Sequence, residues 1–289
     1  MNTGKVTLVA ELGINCNGSL DIAKQLIDVV ADAGCDYVKF QKRDIPSVYS
    51  SAELSAPRES PWGSTTYDQK MGLEFTVDQY REIDSYCKSR GIGWFVSCWD
   101  QVSLDTMEMN FPDMPFHKVA SALAADRAFL TRLSMLKRPV ILSTGMLTEA
   151  QIAAACDILG ESLATVLHCT STYPTKPNEM NMRYIETLAT RIYKLVASGR
   201  VPTIGFSNPY SGLLWVPLAV AFGAEMLEFH VTLDRTLYGS DQSSSLEPEG
   251  VRKLVESVRV SQEMMGDGVK RVYDSELPII KKLRKNADT

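Results

Sequence analysis

Apolar positions along the chain follow two rhythms. Eight short runs are apolar or β-branched almost throughout: 6–14 (VTLVAELGI), 37–42 (YVKFQK), 93–99 (GWFVSCW), 116–121 (FHKVAS), 139–145 (PVILSTG), 165–171 (TVLHCTS), 203–208 (TIGFSN) and 226–233 (MLEFHVTL). They lack the clean alternation of a half-exposed sheet, which predicts strands buried on both faces of a parallel sheet. Between them the apolar spacing turns helical. The segment 19–34 carries apolar residues at 20, 22, 23, 26, 27, 29 and 30 and stops at Gly34. The segment 76–91 opens on Thr76, a good N-cap, and stops at Gly91. Further helices are predicted over 101–109, 126–136, 148–159, 181–197, 211–223 and 248–264, with a closing helix and a frayed Lys-rich tail over 265–289.

Strand then helix, eight times in about 260 residues, is the arithmetic of a (β/α)8 TIM barrel, an α/β fold. A doubly wound sheet would share the alternation, but GxGxxG is absent. No low-complexity linker divides the chain, so residues 1–289 are predicted to form a single barrel domain.

In such a barrel the chemistry gathers where the strands end. The polar residues there are Glu11, Asn15 and Asn17; Lys39 and Gln41; Ser97; Lys118 and Ser121; Ser143 and Thr144; His168, Thr170 and Ser171; Ser207 and Asn208; Glu228 and His230. Two lysines, many hydroxyls and few acids describe an anion pocket, most simply one for a phosphate. Glu228 and His230 lie two apart, hence on one face of their strand, and form a ligand or catalytic pair. His168 reads as a packed histidine, and Cys98 and Cys169 as core sulfur.

Composition narrows the partners. The chain is 45% hydrophobic and 22% charged, with net charge −5 and pI ≈ 5.4, and no basic run interleaves with aromatics. Nucleic acid is therefore not expected. Neither is a membrane, since no apolar run approaches the roughly 18 residues of a span. Six cysteines fall singly without a CxxC, and the N-terminus lacks a signal peptide's features. Both point to a cytoplasmic protein with reduced thiols.

In order along the chain, AELGINCNGSLDIAKQLIDVVADAGCDYVKFQK, HKVAS, PVILSTGM, LHCTSTYPT, GFS and LEFHVTLDRTLYGSDQSSSLEP resemble the sialic acid synthase family over roughly residues 5–265. The resemblance implies a transferase that condenses phosphoenolpyruvate with an aldehyde acceptor of the sugar type, forming a C–C bond and releasing phosphate. It implies that Lys39, Lys118, Ser121, Ser143, Ser171 and Ser207 hold phosphoenolpyruvate. Glu11, Gln41, Glu228 and Tyr173 would be the catalytic groups, Glu11 and Gln41 by the reacting carbons and Tyr173 on the sugar side. Asn15 and Asp241 would bind substrate, and His230, with Glu228 beside it, a divalent metal, Mn²⁺ or Mg²⁺. A homodimer is an expectation of the same kind. The departures fall on the acceptor side. Pro209 stands where the family has a second metal-binding His, Ala122 and Leu123 replace Gly and an acid, Cys16 replaces a His, and Cys98–Trp99 replace Thr-Pro. The family's C-terminal antifreeze-like domain, with its Arg, is expected to be absent. A diverged lyase acting on a small phosphorylated or keto acid, or a non-catalytic phosphoenolpyruvate-binding relative, are the alternatives.

Overall fold

The computed structural model describes residues 4–195, 201–208 and 210–284. In chain order it begins with β1 (Thr7–Glu11), α1 (Leu20–Ala33) and β2 (Tyr37–Lys42). An excursion follows, made of α2 (Ile45–Val48), α3 (Ser51–Ser55), the hairpin β3 (Pro57–Ser60) and β4 (Gly63–Thr65), and α4 (Thr66–Leu73). Regular alternation then resumes with α5 (Val77–Arg90), β5 (Gly93–Cys98), α6 (Gln101–Asn110), β6 (His117–Val119), α7 (Arg127–Met135), β7 (Val140–Ser143), α8 (Glu149–Leu159) and β8 (Leu163–His168). It ends with α9 (Tyr184–Leu195), β9 (Thr203–Asn208), α10 (Trp215–Ala221), β10 (Met226–His230), α11 (Pro248–Met265) and α12 (Leu277–Leu283). No helix among the described residues is long and apolar enough to cross a membrane.

Eight strands close a parallel barrel in the order β1-β10-β9-β8-β7-β6-β5-β2, so the predicted (β/α)8 architecture is the one observed. Local chemistry sets the helix ends. Ser19 accepts a hydrogen bond from Ile22 N at the start of α1, and Gly34 closes the helix at φ 89°. Thr76 and Gln79 form a capping box on α5, and Gly91 closes it at φ 66°.

Inside the barrel, strand alternation sorts side chains into layers. Val9, Phe95, Ile141, Leu167 and Met226, with Tyr37 and Phe116 against them, form an apolar plug separate from the main core. Each fully buried member contributes about 1.5–3 kcal/mol. Two residues further along each strand the inward side chain is polar or reactive, as at Glu11, Lys39, Ser97, Lys118, Ser143, Cys169, Ser207 and Glu228. The plug is thus a floor, and the polar layer is the base of a site.

The excursion between β2 and α5 has no counterpart in the sequence reading, which assigned no element to 43–75. Its helices are four to eight residues long, too short for a periodic signal. It is fastened at the hairpin, where Trp62 packs edge-on to Tyr238 with centroids 5.6 Å apart. Gly72 makes this possible, since a Cβ there would stand 2.0 Å from the Trp62 ring. The predicted helix 211–223 is observed only over Trp215–Ala221, and the end of the predicted 181–197 lies outside the described residues. Within 265–289 the helix is the short α12, and residues 285–289 lie outside the described ones.

Candidate active site

Register brings the predicted residues together. Glu11 is paired with Lys39 on one side and His230 on the other, and Glu228 with Ser207. Their side chains open into a cavity of about 200 Å³ at the strand ends, lined also by Gln41, Ser97, Lys118, Ser121, Ser143, Ser171 and Tyr173.

Its base is an ion-pair network. Lys39 Nζ bridges Glu11 Oε2 at 2.9 Å and Glu228 Oε1 at 3.0 Å. Ser207 Oγ donates to the same Glu228 oxygen at 3.0 Å, and Gln41 Nε2 donates to Glu11 Oε1 at 2.6 Å. Burial alone would lower the pKa of Lys39, but the two carboxylates outweigh it and raise it above the ordinary lysine value. Glu228 is also penalised by burial, yet Lys118 and Lys39 hold its pKa low, so it stays ionised. Its place is therefore that of a counter-ion to the lysines, and His230 looks elsewhere.

Lys118 is situated differently. Its Nζ donates to Ser143 Oγ at 2.7 Å and to Val119 O at 3.3 Å, and its nearest carboxylate oxygen, on Glu228, is 3.8 Å away. Burial dominates and lowers its pKa to about 8. Beside it Gly145 N donates to Ser121 Oγ and Cys169 Sγ, both at 3.1 Å. A Cβ on Gly145 would lie 2.1 Å from Ser171 Oγ and 2.8 Å from Ser121 Oγ, so only glycine lets the backbone approach these hydroxyls. One ammonium, three serine hydroxyls and a backbone N–H converge, and the nearest carboxylate, that of Glu228, stands back at 3.8 Å from the ammonium. That is an anion cradle.

The upper wall carries the remaining groups. His230 Nδ1 faces Asp241 Oδ2 at 3.7 Å, and Tyr173 packs edge-on to the imidazole at 5.6 Å. Asn15 is turned away from the cavity, its Nδ2 donating to Val231 O at 2.9 Å and Ser245 Oγ at 2.8 Å. Asn15 thus ties the first strand's loop to the last. Pro209 lies outside the described residues.

His168 faces outward, its Nε2 2.9 Å from Met180 O and its ring against Tyr184 and Phe206. Cys98 is buried, but Cys169, read from sequence as core sulfur, lines the cavity. Counting two from the inward Leu167 would have placed it there. Trp99 lines the cavity as well, two residues beyond the inward Ser97.

A divalent cation would meet two protein donors here, His230 Nδ1 and an Asp241 oxygen. Among the described residues no group of three or more His, Cys, Asp or Glu is placed to hold a metal. The pair suits an ion that keeps several waters, such as Mg²⁺ or Mn²⁺.

Comparison with known proteins places this geometry among relatives. A family model described as the NeuB family matches residues 26–270. The N-acetylneuraminate-9-phosphate synthase of Homo sapiens is 35% identical over 285 residues, covering 96% of this chain and 76% of that one. The N,N'-diacetyllegionaminic acid synthase of Campylobacter jejuni is 32% identical over 290 residues, covering 98% of this chain and 84% of the relative. Among solved structures, the N-acetylneuraminic acid synthetase of Leptospira borgpetersenii, in complex with citrate, superposes with a TM-score of 0.81. It is 26% identical, covering 99% of this chain and 94% of that one.

Proposed function

The chain belongs to the NeuB family, and we propose that it condenses phosphoenolpyruvate with a sugar-type aldehyde to give a 2-keto acid and inorganic phosphate. One observation carries the phosphoenolpyruvate half of this reading: the cradle of Lys118, Ser143, Ser121 and Gly145 N, whose ammonium has no carboxylate within hydrogen-bond distance.

In this reading the phosphate lies in the cradle, and Lys39 faces the carboxylate end. C3 of phosphoenolpyruvate attacks the aldehyde carbon, whose oxygen takes up a proton and becomes a hydroxyl. Water adds at C2 and gives up a proton. The C2–O bond to phosphorus then breaks, its electrons leaving with phosphate, and the C2 hydroxyl loses its proton as the ketone forms. Lys118 offsets the charge that accumulates on the leaving phosphate. Glu11, fixed by Lys39 and Gln41, is the carboxylate aimed at the reacting carbons, and Tyr173 and Asp241 line the acceptor side. A divalent cation held by His230 and Asp241 would supply Lewis-acid polarisation of the acceptor carbonyl.

Titration calorimetry tests the assignment. Lys118→Ala removes a charge-assisted contact of about 1.5–3 kcal/mol and is expected to weaken phosphoenolpyruvate binding about 10- to 100-fold. Unchanged affinity would sink the cradle. Phosphate release with a panel of aldehydes, Mn²⁺ present, reports the reaction itself.

A further inference from the structure

Tyr80, near the start of α5, is fully buried among the rings of Phe40, Phe75, Trp94 and Phe111, with ring centroids 5.8–6.3 Å away. None of those four rings carries a hydroxyl, so packing alone would be served by phenylalanine, and a buried phenol is costly without a hydrogen-bond partner. Its partner is the main chain of the active site: Tyr80 Oη donates to the Gln41 carbonyl at 2.8 Å. We propose that Tyr80 is a positioning residue for the reaction, its phenol standing in for the strand that Gln41 lacks on one side and so holding the Gln41 amide against Glu11. The proposal rests on reading the site as one that condenses phosphoenolpyruvate with an aldehyde, with Glu11 aimed at the reacting carbons.

The need arises where β1 stops. Lys39 lies opposite Glu11, the last residue of β1, and its carbonyl accepts from Leu12 N at 2.9 Å. Peptide groups two apart on a parallel strand point to the same side, so the Gln41 carbonyl points toward β1 as well. By then the chain has left the sheet through the tight turn Gly13–Cys16. On its other edge β2 keeps a strand: Gln41 and Lys42 lie opposite Ser97 and Cys98 of β5, and Lys42 O accepts from Trp99 N at 2.9 Å. The end of β2 is thus anchored on one edge by β5 and on the other by Tyr80, reaching in from a helix outside the barrel.

Gln41 is a place where a small shift matters. Its Nε2 donates to Glu11 Oε1 at 2.6 Å and its Oε1 accepts from Arg43 Nη2 at 2.5 Å, so both ends of the amide are committed. Gly13 backs closely onto the pair, since a Cβ there would stand 2.1 Å from Glu11 Oε1 and 2.8 Å from Gln41 Nε2. With the main chain that near, the amide has little room to follow a displaced strand end and still reach Glu11. A misplacement of about 1 Å can cost about 100-fold in rate. The anion cradle hangs on β6 and β7 instead, through Lys118 and Ser143, so loss of the phenol bond should separate chemistry from phosphoenolpyruvate binding.

Tyr80→Phe removes one oxygen and keeps the ring. The assay is phosphate release from phosphoenolpyruvate, Mn²⁺ present, with the aldehyde that the wild-type protein turns over fastest. In Tyr80→Phe kcat is expected to fall about tenfold or more, while calorimetric affinity for phosphoenolpyruvate stays within about twofold of wild type. In a Gln41→Ala background the same substitution should lower kcat by no more than about twofold, because the two residues act as one unit. Tyr86→Phe is the control: it removes a hydroxyl bonded to Asp28 at 2.8 Å from the same helix and should keep wild-type kcat. Unchanged kcat in Tyr80→Phe, an equal loss with and without the Gln41 side chain, or an equal loss in Tyr86→Phe would overturn the proposal. So would a matching loss of phosphoenolpyruvate affinity in Tyr80→Phe, which would make the phenol a support of the whole site. No phosphate release by the wild-type protein with any aldehyde would instead overturn the proposed reaction, and this role with it.

Discussion

Lys39 and Lys118 are the same residue type in the same barrel layer, yet their neighbours give them opposite electrostatic roles. Lys39 is satisfied by two carboxylates before any ligand arrives. Lys118 is held by hydroxyl and carbonyl oxygens and titrates near 8. An arriving phosphate gives it the close anionic partner it lacks, which raises its pKa in the complex. Above pH 8 the free protein has already lost this proton, so binding must take it up again, and affinity falls as pH rises. Calorimetry at pH 9 in buffers of different ionisation enthalpy should record uptake approaching one proton per phosphoenolpyruvate, abolished in Lys118→Arg. Uptake that persists in Lys118→Arg would place the titrating group elsewhere. The two lysines were legible in the sequence as inward positions of strands. Their inequality was not, because it depends on strand order, which sets both Glu11 and Glu228 within 3.0 Å of Lys39 but leaves Lys118 with Glu228 alone, at 3.8 Å.

At the scale of elements, the eight barrel strands were legible because burial on both faces leaves a compact apolar signature in the chain. The excursion after β2 was not, since its short helices and hairpin carry no period, and the ring contact that fastens it reaches Tyr238, far along the chain. Between β6 and α6 lies another feature that sequence alone does not reveal. His117 is 2% exposed, with Nε2 2.9 Å from Glu108 Oε2, and Arg138 Nη1 meets Glu108 Oε1 at 3.0 Å. Burial lowers the imidazole pKa, Glu108 opposes this, and Arg138 adds to it. The native state therefore binds this proton less readily than the unfolded chain, whose histidine titrates near about 6.5. Stability from this site is present above that pH and is lost as pH falls toward the lower folded value. Urea unfolding at pH 7.5 and 5.5 should show a larger acid loss in wild type than in His117→Gln. Equal losses would mean that the strand–helix contact does not sense protons.

Across the whole molecule, a floor of apolar side chains, a charged layer above it and a fastened excursion above that stack along one axis of the barrel. The anion cradle lies in the lower storey, and a second cavity adjoins it at the upper one, where Gln41, Trp99 and Tyr173 are shared. The lower storey was legible in the chain through inward residues spaced by two. The upper storey is assembled from chain segments some 200 residues apart (Arg43 and Lys70 with Asp241), which no local pattern can announce.

This stacking has a kinetic consequence. An acceptor seated against the shared wall of Gln41, Trp99 and Tyr173 would crowd the way to the deeper cavity, so the deeper partner is expected to enter first and its product fragment to leave last. Turnover should follow a compulsory order, phosphoenolpyruvate before acceptor. A non-reacting alditol that competes with the acceptor would then be uncompetitive toward phosphoenolpyruvate, lowering apparent kcat and KM in step. Mixed inhibition toward phosphoenolpyruvate would mean that the lower storey has a second door.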